Sequence, residues 1–345
     1  MIARRLRASL KGWGGVGAMA LACATALVLA LLLPDSTLGD GGTGVGGQGV
    51  ARGTQAKAPE CIDSQNPQNL SPAPSGADGP TIDAIKNRKD RRLIVGVDQN
   101  SYHWGYRDPN NPKSGSDLEG FDIDLVHAIA KNILGDENAV QFRAIPTSQR
   151  IPAIQHGKVD MVVRTMTINC DRLKQVAFSA PYFKTGQQVL APVTSDVTGY
   201  DKSLAGKRIC SASKSTANER LTADQGHGGL VSSAVVSPPV PNQLDCLVRL
   251  QLGEADVVVT DGALAASQAA QDPSVELKGG IFTTEFYGVA MKKSSDDDLV
   301  RRVNQVLADY RKDGWRQSYD KWLAPTLGPN SPSKIPPDAQ YRQPT

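Results

Sequence analysis

The sequence predicts an α/β fold in two similar lobes, and three observations carry that expectation. Strand-like apolar runs alternate with helical periods through the middle of the chain. One helix–strand pattern occurs twice, 96 residues apart. The region that holds these signals is bounded on both sides by stretches too rich in Gly and Pro to bury a core.

The alternation begins with RRLIVGVD, which reads as a buried strand, and continues with FDIDLVHAIAKNI, an amphipathic helix opening after Gly120. AVQFRAI is then a strand, SQRIPAIQ a helix and VDMVV a strand again.

The repeated pattern is RIPAIQHGKVDMVVRT at 150–165 and CLVRLQLGEADVVVTD at 246–261. Each copy has a helix with apolar spacing, then Gln-x-Gly, then two residues, an Asp and a β-branched strand. Gly157 and Gly253 suit the left-handed position just past a helix end. A spacing of 96 residues is too long for a solenoid repeat, so the copies read as equivalent units of two lobes. In open parallel sheets ligands gather beyond the carboxyl ends of the strands. Arg164-Thr165-Met166-Thr167 and Thr260-Asp261 stand there, one group in each lobe, and facing lobes would point both into one cleft.

Residues 34–80 (GDGGTGVGGQG, then NPQNLSPAPSGADGP) read as a linker, and 326–345 as a similar tail. Ahead of the linker, residues 1–33 carry Arg4, Arg5, Arg7 and Lys11, no acid, and an apolar run from Val16 to Leu33 closed by Pro34. This reads as a signal peptide or N-terminal membrane anchor with its basic end in the cytoplasm. Cys23, after Ala20-Leu21-Ala22, resembles a lipoprotein cleavage box, but the residues after it stay apolar where a polar linker is usual. The chain is therefore expected to be extracytoplasmic, exported and held at the outer face of the cell membrane.

Removing those four cations from a formal charge of +3 leaves −1 for the remainder, so no basic face is built for nucleic acid. The remaining cysteines, Cys61, Cys170, Cys210 and Cys246, are even in number on the exported side, which favours two disulfides. No CxxC or clustered Cys/His spacing points to a metal, and His103, His127, His156 and His227 are scattered. No cofactor is expected.

Seven blocks in order resemble the family 3 extracellular solute-binding proteins, the amino-acid receptors of ABC importers. They are LIVGVDQN (93–100), LEGFDIDLVHAIA (118–130), RIPAIQHGKVDMVVRTMTINCDR (150–172), VAFSAPYFKTGQQVL (176–190), LAGKRIC (204–210), ADVVVTD (255–261) and EFYGVAMKK (285–293). The resemblance implies the type II periplasmic-binding-protein fold, two lobes joined by crossing hinge strands that close on a ligand. Residues 81–187 plus 286–325 would form lobe 1 and 188–285 lobe 2.

It also implies a ligand set. Arg172 matches the arginine that forks onto the ligand α-carboxylate, for which a planar, always-charged guanidinium is suited. Thr167 matches a threonine bonded to the same carboxylate, and Thr165 a position offering backbone groups. Asp261 matches the carboxylate that pairs with the α-ammonium, although a residue there is also placed to cap the following helix. Ser215 and Thr216 match a second-lobe loop that gives amide and hydroxyl groups. Lys214 departs from the family there, where Gly is usual. Asp98, Tyr102 and Trp104 lie in a loop that walls the ligand side chain or cradles its ammonium. Arg150 resembles the arginine of the glutamate- and aspartate-binding members, with Arg164 in a position to reinforce it. A cation at that place favours an acidic side chain, with asparagine or glutamine next.

The expected disulfides, out of three possible pairings, are Cys210–Cys246 and Cys61–Cys170. The expected partners are a small-molecule amino acid, an ABC transporter permease, and the membrane through the N-terminus, with the chain itself a monomer. Two other functions fit the same fold. A sensor would dock its closed form on a membrane receptor. A cleft enzyme, such as a dehydratase relative, would alter its ligand, but no Ser–His–Asp elbow, metal-ligand cluster or phosphate-binding Gly loop is present in the sequence.

Overall fold

Val257, Val258 and Val259 show how these sheets are packed. Val257 and Val259 join Val189, Leu204, Ile209 and Leu221 on one face, while Val258 joins Leu190, Cys210, Leu247 and Ala265 on the other. Strands apolar on both faces need cover on both faces, which is what alternating helices supply. The earlier strand repeats the arrangement, with Leu93, Val95 and Val97 on one side and Ile94 turned to a second cluster around Ile154 and Val162. The computed structural model describes residues 65–108, 118–226, 229 and 231–343.

The strands are β1 (Leu93–Val97), β2 (Asn100–Ser101), β3 (Gly105–Tyr106), β4 (Val140–Ala144), β5 (Met161–Val162), β6 (Ala177–Phe178), β7 (Phe183–Thr185), β8 (Gln187–Pro192), β9 (Arg208–Cys210), β10 (Val235–Val236), β11 (Val257–Asp261), β12 (Val275–Lys278), β13 (Glu285–Tyr287) and β14 (Ala290–Met291). The helices used below are α1 (Pro80–Lys86), α2 (Phe121–Leu134), α3 (Arg150–Gln155), α4 (Cys170–Leu173), α5 (Thr216–Gly226), α6 (Gln243–Gln251), α7 (Gly262–Gln271) and α8 (Asp298–Tyr310).

Two five-stranded sheets result, in the orders β4-β1-β5-β14-β6 and β10-β9-β11-β8-β12. Each has three parallel strands followed by an antiparallel pair. The echoed strands β5 and β11 hold the same place in the two orders. Between the sheets, β7 pairs antiparallel with β13. The chain leaves lobe 1 through β7 into β8 and returns through β13 into β14, so these are the crossing hinge strands.

The echo is faithful at its polar positions too. Gly157 and Gly253 have φ of +64° and +69°, as a left-handed helix end requires. Asp160 accepts the Ile94 amide at 2.8 Å and donates its own to the Ile94 carbonyl. Asp256 makes the same two bonds to Arg208, at 2.7 and 2.9 Å. In each lobe the Asp thereby sets the register between its strand and the sheet's next strand.

Cys210 and Cys246 are joined, with Cα atoms 5.6 Å apart, tying β9 to α6. Cys170 is also in a disulfide, and Cys61, its expected partner, lies outside the described residues. The apolar segment 16–33, Cys23 and most of the expected linker lie outside them as well. Among the described residues no helix is long and apolar enough to cross a membrane.

The end of the expected linker and the expected tail are packed on lobe 1. Asn304 of α8 donates to the Ser71 hydroxyl and the Pro72 carbonyl and accepts the Ala180 amide. Ser71 in turn donates to the Phe178 carbonyl and accepts the Arg342 amide. Arg302 pairs with Asp78, and Arg342 with Asp297. A Pro-rich stretch buries little apolar surface, but its free main-chain groups are good partners for a buried amide such as Asn304.

Candidate functional site

The short strands β5 and β11 end at the cleft, and the chain beyond them builds its walls. After β5, Thr165 adopts φ +43°, a region costly for a β-branched residue. Asp122, from the start of α2, accepts the Thr165 amide at 3.2 Å and the Tyr182 hydroxyl at 2.8 Å, holding that bend. Burial raises the Asp122 carboxyl to about 7, against these two bonds. Thr167 then bridges to Tyr287, and Ile168 donates its amide to the Phe286 carbonyl, so the segment is strapped to the hinge.

These elements bring Arg150, Thr165, Thr167, Arg172, Ser215, Thr216 and Asp261 around one narrow pocket, together with Gln243 and Thr260. Seven residues of the sequence-based ligand set thus share one cleft, contributed by both lobes.

The two arginines differ in what they have left to give. Arg150 donates Nε–H to the Thr147 carbonyl at 3.0 Å, Nη1–H to the carbonyls of Arg164 and Thr165, and Nη2–H to that of Lys214. Arg172 donates to the carbonyls of Thr167 at 2.8 Å and Lys214 at 3.2 Å, which leaves Nε and one N–H on each terminal nitrogen. Arg172 therefore retains a fork, whereas Arg150 retains a single N–H. Burial, with Arg172 and Arg164 nearby, pushes Arg150 well below the usual guanidinium range. Burial also lowers Arg172, opposed by Glu219, Glu285 and Asp261. Two buried cations whose direct hydrogen bonds are all to carbonyls form a place where an anion is favoured.

Asp261 ends β11 and its carboxylate makes no helix-capping bond; it accepts the Tyr287 hydroxyl instead. Burial and then neighbouring Glu285 raise it to about 7, while Tyr287, Arg172 and Arg150 act in the other direction. Glu285 is held by Gln187 Nε2 at 2.9 Å and by the hydroxyls of Thr216 and Thr283. In the second-lobe loop Lys214 has φ +59°, the conformation for which Gly is the usual residue. Its carbonyl is the one that both arginines reach. The Ser215 hydroxyl donates to the Ala212 carbonyl and accepts the Asn218 amide, so it serves the start of α5.

The other expected residues lie beside the pocket. Arg164 is fully buried and pairs with Asp98 at 2.8 Å. It also donates to the Thr147 hydroxyl at 2.9 Å and to Asn242 Oδ1 across the cleft at 3.1 Å. Asp98 further accepts the amides of Gln99 and Asn100 and the Ser101 hydroxyl. Trp104 is wholly buried, edge-on to Phe183 at 4.8 Å and packed against Phe121 and Tyr287. Tyr102 stacks on His103 and borders an adjoining crevice with Leu264, Gln268 and Gln271.

Gln243, Thr147, Asp122, Glu285 and Tyr287 were not singled out from the sequence. The echo carried a signal for the first two, since Thr147 and Gln243 stand three residues ahead of its two copies.

The model of the bacterial extracellular solute-binding proteins, family 3, matches residues 93–325. A glutamine-binding protein of an ABC transporter from Bacillus subtilis is 32% identical over 244 residues, 70% of this chain and 84% of that protein. The glutamate-binding protein GluB of Corynebacterium glutamicum is 28% identical, covering 74% and 84%. Among solved structures, a solute receptor for L-cysteine from Neisseria gonorrhoeae superposes with a TM-score of 0.66 at 26% identity, over 75% of this chain and all of that one. With its two-sheet, two-hinge topology, the chain belongs to family 3 of the bacterial extracellular solute-binding proteins.

Proposed function

We propose that this protein is an extracytoplasmic receptor for an acidic amino acid, glutamate or aspartate, with asparagine and glutamine next. It closes on the ligand and delivers it to an ABC importer, held at the membrane through its N-terminal segment. The observation that carries the reading is the pair of buried arginines, Arg150 and Arg172, opposite the buried carboxylate of Asp261. An α-carboxylate on the open fork of Arg172 and an α-ammonium at Asp261 account for one cation and one anion. Arg150 is then left over, and a side-chain oxygen of the ligand fits its remaining N–H. Relatives named for glutamine and for glutamate support an amino-acid ligand.

Calorimetry on the purified full chain with the twenty common amino acids tests this. Glutamate or aspartate is expected to bind tightest and to be recovered unchanged. A ligand at a hundred times its Kd adds about 2.7 kcal/mol of stability. A panel without any thermal shift, or recovery of an altered ligand, would overturn the receptor reading.

A further inference from the structure

The family match spans residues 93–325, and the chain on either side of it meets on one helix, α8. As the arm of residues 66–79 advances into α1, its partners step back along that helix. They pass from Asn304 at Pro72, through Arg301 at Ser75, to Asp298 at Thr81, so the arm runs antiparallel to α8. The tail returns to the same place. Arg342 donates its amide to the Ser71 carbonyl at 2.9 Å, and Asn69 Nδ2 donates to Gln340 Oε1 at 2.8 Å. The helix is built for this cover, since Arg302 is 7% exposed and Asn304 wholly buried. Groups of that kind are buried only with partners of their own, and a Pro-rich arm offers carbonyls with few competing N–H groups.

Asn304 also reaches the root of the hinge. Its Oδ1 accepts the amide of Ala180, in the segment that joins β6 to β7, at 2.7 Å. Its partner on the arm, the Ser71 hydroxyl, donates to the Phe178 carbonyl at 2.9 Å. Between those two residues, Ser179 is tied to the returning side of the hinge. Its amide donates to the Val289 carbonyl, and its hydroxyl accepts the Val289 amide, each at 2.9 Å. The arm therefore joins lobe 1 where both hinge strands leave it, and the partners named here all belong to lobe 1 or the tail.

We propose that residues 66–79 and 340–342 form a clasp that fastens the N-terminal side of the chain to lobe 1 alone, at the hinge root, so that lobe 2 swings without disturbing the attachment. The swing of lobe 2 rests on the receptor reading above, and the clasp does not. By composition the arm would be a spacer without a fixed seat. Its seat comes from α8 and from the tail, which hold it on two sides.

Pairs of nitroxide labels on the full chain read the attachment. Ala77→Cys is combined with Lys131→Cys in lobe 1 or with Leu252→Cys in lobe 2, all three positions being exposed. The 77–131 distance should be single, narrow and unchanged by saturating glutamate or aspartate, whereas the 77–252 distance should change. A broad 77–131 distribution, or one that moves with ligand, would overturn the clasp. A 77–252 distance indifferent to both acids would count against the receptor reading and the swing of lobe 2, with the clasp left standing. Hydrogen exchange then tests whether arm and tail hold each other. Arg342→Pro removes the amide that Ser71 accepts, at an exposed position, and should speed exchange of the Ser75 amide by about tenfold or more. Asn304→Leu should do the same and also free the Ala180 amide; where it fails to fold, Arg342→Pro alone decides. An arm as protected in Arg342→Pro as in the wild type would show that the tail takes no part, and the clasp would fall.

Discussion

Thr147 and Gln243 lie 96 residues apart, the interval of the sequence echo, and hydrogen-bond to each other across the cleft at 3.2 Å. Equivalent positions of two similar lobes thus meet where the lobes face one another. The repeat that marks the lobes also marks their contact.

Arg172 and Arg150 are expected to differ on mutation. Every amino acid presents an α-carboxylate, so Arg172→Ala should weaken glutamate and glutamine alike, by roughly tenfold to a hundredfold for a charge-assisted bond. Arg150→Ala should weaken glutamate most and narrow its preference over glutamine. Titration calorimetry with both ligands checks this, and equal losses at Arg150→Ala would remove the acidic assignment.

Arg164 acts through Asp98, with both side chains nearly sealed from water. Arg164→Met strands that carboxylate and should cost about 3–5 kcal/mol, at the lower end because Gln99, Asn100 and Ser101 still donate to it. Urea unfolding measures this. Unchanged stability with lost binding would instead make Arg164 a ligand residue.

Ligand capture should depend on pH through Asp261. Its pKa of about 7 lies above the ordinary 3.8, so in the protein alone its contribution to stability falls as pH rises from about 4 to about 7. An ammonium ligand needs the carboxylate. Affinity should therefore be full above about pH 7 and decline below it, with proton release on binding near pH 6. The groups facing Asp261 are Glu285 and Tyr287 on β13, Arg172 on α4 and Arg150 on α3. Calorimetry in buffers of different ionisation heats reads the proton count, and a flat profile from pH 5 to 8 would contradict it.

The Cys210–Cys246 bridge closes a loop of 36 residues inside the second-lobe core. By chain entropy such a loop contributes about 3–4 kcal/mol. Replacing both cysteines by Ala should lower the unfolding free energy by that order, checked by denaturant titration with the wild type kept oxidised.

Lys214 holds a left-handed conformation at the loop whose carbonyl both arginines reach. Lys214→Gly should be neutral or stabilising by up to about 1 kcal/mol. Lys214→Val should destabilise by about 1 kcal/mol or more, because a β-branched residue resists positive φ. Thermal unfolding of the two variants gives the ordering, and the reverse order would refute it.

The sequence by itself determined the features that local chemistry sets. Alternating periods gave the strand and helix order, and Gly157 and Gly253 marked the helix ends because a left-handed turn disfavours a Cβ. The echo identified equivalent units, the ends of its strands set Thr167 and Asp261 toward one cleft, and the family resemblance added Arg172. What only the tertiary structure decided were choices of partner between residues far apart in the chain. Arg164 follows a strand, and nothing nearby in sequence says whether it meets a ligand or Asp98. Trp104 sits in a loop that reads as a cleft wall, but the rings of Phe121, Phe183 and Tyr287 pack around it. Residues 66–79 have the composition of a linker, and it is the approach of Asn304 and Arg302 that gives the carbonyls of Pro72 and Gly76 buried partners. Gln243 begins an ordinary helix until lobe 1 brings Thr147 to its oxygen. A local period is fixed by a few neighbouring dihedrals, whereas a buried polar group is fixed by whichever partner the closed fold delivers.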